Sequence, residues 1–132
     1  MLVCNQVWLH LSRCARVCFL LLMSAGCSGS QDIVDTDAAV QTLQSTLEAW
    51  KNGQSPTDLK SAAEPVVVQD PDWSNGAKLE AYEIIGEAKA EGPNLRCDVV
   101  LTLQRPGDKP VRTDAQYTVT TSPSRTVFRN LF

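Results

Sequence analysis

Residues 95–121 read LRCDVVLTLQRPGDKPVRTDAQYTVTT, and this segment contains the clearest strand pattern in the chain. On each side of a turn at residues 105–110, apolar and polar side chains alternate with a period of two, which is typical of strands that bury one face. The inward-facing set of these two strands is Leu95, Cys97, Val99, Leu101, Thr113, Ala115, Tyr117 and Val119. The pattern predicts an antiparallel hairpin that covers one side of an apolar core.

Two helices are predicted before this hairpin. Apolar side chains recur at spacings of three and four along one helical face, which indicates a helix packed on a core. They are Val40, Leu43, Leu47 and Trp50. Thr36 or Asp37 is the predicted N-cap, and Gly53 closes the helix. Ser55 caps a second, short helix that we expect to end near Ala63.

Further strands are predicted on both sides of the hairpin. Residues 66–68 form a β-branched run, and residues 126–131 provide a last strand. Residues 77–91 leave two alternatives open, since their Ala, Lys and Glu content favours a helix. Gly86 in the middle would cost such a helix about 1 kcal/mol.

The element order of a helix, a short helix and several long strands resembles the cystatin-like cone. Nuclear transport factor two, ketosteroid isomerase and limonene epoxide hydrolase share that fold. Over most of residues 45–129 the chain also resembles small lipoproteins of planctomycete bacteria. The segments that carry this likeness are LEAWKNG at residues 47–53, DPDW at residues 70–73 and KLEAY at residues 78–82.

The resemblance to the cone implies an α+β fold. In it a long N-terminal helix and a short helix pack on a curved antiparallel sheet of four to five strands. It also favours a strand over residues 77–91, in which Gly86 relieves twist or makes a bulge. The resemblance to the lipoproteins implies no catalytic residue, because the segments that carry it are not catalytic signatures.

The first 26 residues have the order of an export signal. Arg13 and Arg16 precede the apolar run VCFLLLM at residues 17–23, and small residues follow. This run is far shorter than the roughly 20 residues that span a bilayer as a helix. Residues 24–27, SAGC, resemble the lipobox of bacterial lipoproteins, in which the cysteine is acylated and becomes the N-terminus. Ser24 departs from that pattern, which has an aliphatic residue there.

These features predict three segments and the cellular location of the protein. Residues 1–26 are expected to be a lipoprotein signal peptide, residues 27–36 a flexible tether, and residues 37–132 one α+β domain. Cys27 is the expected lipidation site, which makes the protein an exported, membrane-anchored lipoprotein of the bacterial cell envelope. Plain secretory cleavage and an unprocessed N-terminal tail are the alternatives for Cys27.

Composition excludes several chemistries. From Cys27 onward the chain has ten Lys and Arg residues and 15 Asp and Glu residues. Such an acidic chain has no basic surface that would neutralise the phosphates of a nucleic acid. The one histidine is His10, inside the predicted signal peptide, so the mature chain would have no imidazole for a Ser-His-Asp or Cys-His site. Cys97 shares its phase with aliphatic residues, so core packing explains it better than nucleophilic catalysis. No cofactor and no metal are expected.

No catalytic residue is expected either. Asp98 and Asp114 lie opposite the inward-facing set, where a buried general base would not point. Every inward position of the hairpin therefore reads as filled core.

Six residues are candidates for contact with a ligand or a partner. They are Trp50, Asp70, Asp72, Trp73, Tyr82 and Tyr117. The simpler interpretation of residues 70–76 is a turn in which Asn75 and Gly76 supply positive φ angles, although two carboxylates beside an aromatic side chain also suit a cleft or Ca²⁺. For Trp50 the simpler interpretation is core packing, and for the two tyrosines it is hydrogen bonding to the backbone.

Three functions are compatible with these features. The first is a non-catalytic interaction or structural module for another envelope protein. The second is a cone that holds a small apolar ligand, with Trp50, Tyr82 and Tyr117 lining the cavity. The third is an isomerase-like or dehydratase-like enzyme, which rests on fold analogy alone.

Overall fold

A computed structural model describes residues 33–131 of the chain. The predicted signal peptide, Cys27 and most of the predicted tether lie outside the described residues. The elements in chain order are α1 Thr36–Lys51, α2 Pro56–Lys60, β1 Val66–Gln69, α3 Pro71–Ser74, β2 Lys78–Glu91, β3 Asn94–Gln104, β4 Val111–Thr120 and β5 Arg125–Arg129. The domain is α+β with one five-stranded sheet, as the sequence predicts.

The strand order is β1-β5-β4-β3-β2, and neighbouring strands are antiparallel except at one edge. There β1 pairs with β5 in parallel, with Val66 opposite Arg125. The expectation of a wholly antiparallel sheet is therefore wrong. The parallel pair forms because the C-terminal strand enters between β4 and β1, a contact across about 60 residues that no local pattern encodes.

Helix α1 packs against the apolar face of the sheet through Leu43, Leu47 and Trp50, all of which are buried. Its N-cap is Asp35, whose side chain accepts a hydrogen bond from the Ala38 amide at 3.1 Å. The predicted caps, Thr36 and Asp37, are wrong by one and two positions, because both already lie in the first helical turn. The negative charge of the Asp35 carboxylate also interacts favourably with the positive end of the helix dipole.

The chain joins the domain just before α1. Val34 is buried, and its amide donates to the carbonyl oxygen of Gly92 at 3.0 Å, in the turn between β2 and β3. Residues 34–36, which the sequence assigns to the tether, therefore lie within the described domain.

Helix α2 begins as predicted and ends early. The Asp58 amide donates to the Ser55 hydroxyl oxygen, and the Ser55 amide donates to the Asp58 carboxylate. These hydrogen bonds lower the pKa of Asp58. The helix stops at Lys60 rather than near Ala63, and none of its residues is fully buried, although Leu59 packs against the core.

Residues 78–91 form a strand, which settles the ambiguous segment. The pairing of β2 with β3 shifts between Ile85 and Lys89, and Gly86 within that shift has φ +68°. The predicted irregularity at Gly86, as relief of twist or as a bulge, is confirmed as a register shift. It uses the left-handed backbone that glycine adopts without a Cβ penalty.

The predicted alternation of the hairpin is confirmed over most of its length. All inward residues of β3, together with Ala115, Tyr117 and Val119, are buried in one core with α1. Thr113 is only half-buried. Asp98 and Asp114 are exposed, as their phase predicts. Cys97 is buried, and burial, with the nearby Asp98 charge, raises the pKa of its thiol.

Candidate functional site

Trp50 and Trp73 stack at one end of the domain. Their ring centroids are 4.9 Å apart and their planes differ by 5°. Trp50 ends α1 and Trp73 lies in α3, so the stack joins two helices that are separated by β1. Both rings are buried, which confirms core packing for Trp50.

Each indole also holds a loop through its N–H group. Trp50 donates to the carbonyl oxygen of Ala77 at 2.9 Å, just before β2. Trp73 donates to the carbonyl oxygen of Gln54 at 2.9 Å, between α1 and α2. The stack therefore fixes the positions of the two loops that border the nearest surface clefts.

Three adjacent clefts at this end have Lys78 on their lining. The first, of about 500 Å³, lies over the stacked tryptophans and reaches Ser55. The second, of about 550 Å³, runs along Lys51 to Glu80. The third, of about 320 Å³, extends to the β3–β4 turn at Arg105. We call the surface formed by these three clefts the Lys78 groove.

The Lys78 groove has more cationic than acidic side chains. Its lining contains Lys51, Lys78 and Arg105 but only one carboxylate, that of Glu80. Arg105 is paired with Asp72 at 3.0 Å. No ion pair joins Lys51 or Lys78 to another side chain within residues 33–131.

A second cluster surrounds Asp70, which is 2% exposed. Its Oδ1 accepts hydrogen bonds from the amides of Asp72 and Trp73, at 2.9 and 3.2 Å, so Asp70 is the N-cap of α3. Its Oδ2 accepts from the hydroxyl of Tyr117 at 2.5 Å. Asp70 is therefore an acid inside the domain that the alternation of the strands does not predict, because this carboxylate comes from a helix cap and not from a strand position.

Arg129 completes the Asp70 cluster. Its guanidinium lies 3.4 Å from Asp70 and 2.5 Å from Asp72, and it stands opposite Tyr117 in the β4–β5 register. A guanidinium therefore occupies the space between the two carboxylates where Ca²⁺ would have to bind. The cluster also borders a cleft of about 260 Å³.

The pKa values of the Asp70 cluster follow from burial and charge. Burial, together with the charge of Asp70, raises the pKa of Tyr117 and keeps the phenol protonated. Burial disfavours the charged form of Asp72, but its hydrogen bonds with Arg105 and Arg129 outweigh burial, so the pKa of Asp72 is lowered. Burial also disfavours the charged form of Arg129, but the charge of Asp70 and the hydrogen bond with Asp72 outweigh burial, so the pKa of Arg129 is raised.

Residues 70–76 are more ordered than a simple turn. The one-turn helix α3 occupies their centre, and Asp70-Pro71 is the cap-and-proline pair that starts it. Asn75 has φ −88°, so the predicted positive φ is wrong for Asn75 and correct for Gly76, at +89°.

Tyr82 lies apart from both clusters. Its hydroxyl donates to the Glu48 carboxylate at 2.9 Å, and burial with this acidic neighbour raises the pKa of Tyr82. Both tyrosines therefore bond carboxylates, and the expectation of backbone partners is wrong. Neither Tyr82 nor Tyr117 lines the Lys78 groove.

The six candidate residues therefore fall into three places. Trp50 and Trp73 form the floor beside the groove, Asp70, Asp72 and Tyr117 share the buried cluster, and Tyr82 is separate. Sequence reasoning missed Lys51, Lys78, Arg105 and Arg129. The Asp-Pro pair was a usable signal for the cap, whereas the arginines are brought in by distant strands.

Residues 33–131 contain neither a candidate metal site nor a helix that could span a bilayer. No group of three or more His, Cys, Asp or Glu side chains is arranged to hold a metal ion there. None of the helices in this range has the length and apolar character that crossing a bilayer requires. Comparisons with protein-family models, with curated proteins and with solved structures found no match to this chain.

Proposed function

We propose that this protein is a lipid-anchored component of the bacterial cell envelope whose small domain is a non-catalytic interaction module. Acylation at Cys27 would hold it in the membrane, and a cystatin-like cone would bind another envelope protein. The order of α1, the short α2 and the strands supports the cone, since α1 covers one face of the sheet.

The state of Asp70 is the observation that most supports a non-catalytic role. Two backbone amides, a phenol and a guanidinium already occupy its oxygens, and it is 2% exposed. A general base needs a free lone pair that faces substrate. Asp70 instead has the surroundings of a carboxylate that holds α3, β4 and β5 together.

The position of α1 supports presentation of one end of the domain to a partner. The chain joins the domain at the Gly92 turn, whereas Trp50 at the far end of α1 bonds Ala77 beside the Lys78 groove. A helix of 16 residues is about 24 Å long. The Lys78 groove therefore lies about one helix length from the point at which the predicted tether joins the domain.

Lipidation is tested directly on the full chain expressed in a bacterium. We expect labelled palmitate to enter the protein and mass spectrometry to find a mature N-terminus at an acylated Cys27. Cys27→Ser should abolish the label, whereas Cys4→Ser, a cysteine outside the lipobox, should keep it. An intact, unmodified N-terminus on the wild-type chain would refute the anchor.

The interaction role is tested by isolating the tagged protein from detergent-solubilised envelope. A stoichiometric partner should copurify, and the tagged partner should recover this protein in return. Failure of both isolations would contradict the proposed function, whatever the result of the lipidation test.

A small-ligand module is the second candidate, because Trp50 and Trp73 border a cleft of about 500 Å³. Its predicted lining by Tyr82 and Tyr117 is wrong for this cleft. Saturable quenching of tryptophan fluorescence by an apolar probe, lost in Trp73→Phe, would favour it over the interaction module.

A further inference from the structure

The Lys78 groove differs in charge from the chain that surrounds it. From Cys27 onward the protein has a net charge of −5, with ten basic against 15 acidic residues. Lys51, Lys78 and Arg105 nevertheless outnumber the single acid of the groove, Glu80. The groove is therefore a local site of positive charge on an acidic protein.

The ion pairs of the domain leave these lysines available. Arg96, Arg105, Arg125 and Arg129 each pair with an Asp or Glu side chain, and the Arg105 pair neutralises that end of the groove. Lys51 and Lys78 have no such partner within the described residues. An ammonium group on a flexible stem reaches carboxylates at variable positions, which suits an extended ligand.

The shape of the groove suits a chain more than a compact molecule. The three clefts share Lys78 on their lining, and together their linings reach from Ser55 to the turn at Arg105. Its floor includes the edges of the buried pair Trp50 and Trp73, which the two indole hydrogen bonds hold in place. A rigid apolar floor beside two cations binds a ligand that alternates apolar and acidic groups.

We infer that the Lys78 groove binds an extended acidic peptide segment of a partner protein, with Lys51 and Lys78 paired to its carboxylates. This inference rests on the proposed interaction role and names the surface and the chemistry of the partner. Apolar side chains of the segment lie over the tryptophan floor.

The test uses the full chain in detergent, labelled with ¹⁵N, and a peptide of Glu-Ser-Leu repeats. A Gln-Ser-Leu peptide of equal length is the uncharged reference. Glycine amides report the location, because Gly53, Gly76 and Gly107 line the groove and Gly86 and Gly92 do not. We expect saturable shifts at the three groove glycines with the acidic peptide and none with the reference.

Charge reversal tests the two lysines. Lys51→Glu and Lys78→Glu should each weaken binding of the acidic peptide by at least about fivefold, the effect of losing one exposed ion pair and gaining a repulsion. Lys89→Glu, on β2 near the other end of the strand, is the matched control and should change binding less than about twofold. Unchanged glycine shifts in each free variant would confirm that the fold is intact.

Several results would overturn the inference. Shifts centred on Gly86 and Gly92, equal weakening by Lys89→Glu, or equal binding of the Gln-Ser-Leu peptide would each do so. Equal shifts with dextran sulfate would assign the groove to anions in general and refute peptide recognition.

The interaction role and the assignment of the Lys78 groove as its binding surface can be refuted separately. If the envelope partner still copurifies with the Lys51→Glu, Lys78→Glu double variant, the groove is not its binding surface and the interaction role stands. If no partner copurifies with the wild-type chain, the interaction role itself fails.

Discussion

Replacement of Asp70 by Ala is expected to destabilise the described domain because it removes buried hydrogen bonds. The substitution removes the N-cap of α3, which contributes about 1 kcal/mol. It also leaves the buried Tyr117 hydroxyl without its acceptor, which costs about 1–3 kcal/mol. Arg129 keeps Asp72 as a partner and adds little to the loss. The expected decrease in the free energy of unfolding is about 3 kcal/mol.

Urea denaturation followed by tryptophan fluorescence measures this decrease. Small domains have m values of about 1–3 kcal/mol per molar urea, so the midpoint should fall by about 1–3 M. Asp98→Ala is the matched control, because that carboxylate is exposed and accepts only from Gln116. It should change stability by less than about 0.5 kcal/mol.

A double-mutant cycle with Tyr117→Phe separates the two parts of the cost. In the Tyr117→Phe background no hydroxyl is left unpaired, so Asp70→Ala should be less harmful by about 1–2 kcal/mol. Strictly additive costs, or an Asp70→Ala cost below about 1 kcal/mol, would refute the assignment of the Asp70 cluster as a stabilising element.

Three further predictions concern stability. Trp73→Ala should lower the free energy of unfolding by about 3–5 kcal/mol and weaken the near-ultraviolet circular dichroism of the stack, since it removes a buried ring from the partner Trp50; an unchanged dichroism spectrum would contradict the stacking. Gly86→Ala should cost about 1–2 kcal/mol in urea denaturation, because the site has φ +68° and open space for a Cβ, so backbone strain is the whole effect; no loss would mean that the bulge is not held. The ion pairs of Asp72 lower its pKa in the folded state, so its carboxylate stabilises the fold at pH values above its unfolded pKa of about 3.9. This stabilisation is lost as the pH falls through the folded pKa. Asp72→Asn should therefore flatten the decline of stability below about pH 4, and an equally steep decline in the variant would disprove this contribution.

The parts of the fold that the sequence predicted are those set by short-range patterns. The period-two alternation around Cys97 and the three-four spacing around Leu43 each describe one buried face, and burial of that face fixes the element. Ser55 and Gly86 were also informative, because a capping box and a positive φ depend on nearby backbone alone. Because these patterns are local, the observed ends of the helices differ from the predicted ends by one to three residues.

The Asp70 cluster was missed because its partners are far apart in sequence. Tyr117 lies 47 residues from Asp70, and Arg129 lies 59 residues from it. Strand alternation indicates which strand residues face inward, whereas Asp70 belongs to a helix cap. The pair Asp70-Pro71 carried the local part of the signal, but only the parallel β1–β5 contact brings Arg129 to it.

The edges of the sheet bear on how a partner would attach. β1 is an edge strand of four residues, and β2 at the other edge has register shifts at two places and several exposed acidic side chains. Short strands, bulges and charge are the features that prevent an edge from accepting another strand. A partner that bound by strand addition would have to overcome them, whereas the Lys78 groove presents side chains and a preformed floor. Attachment through the groove, and not through a sheet edge, is therefore the mode that the exchange of Lys78 tests.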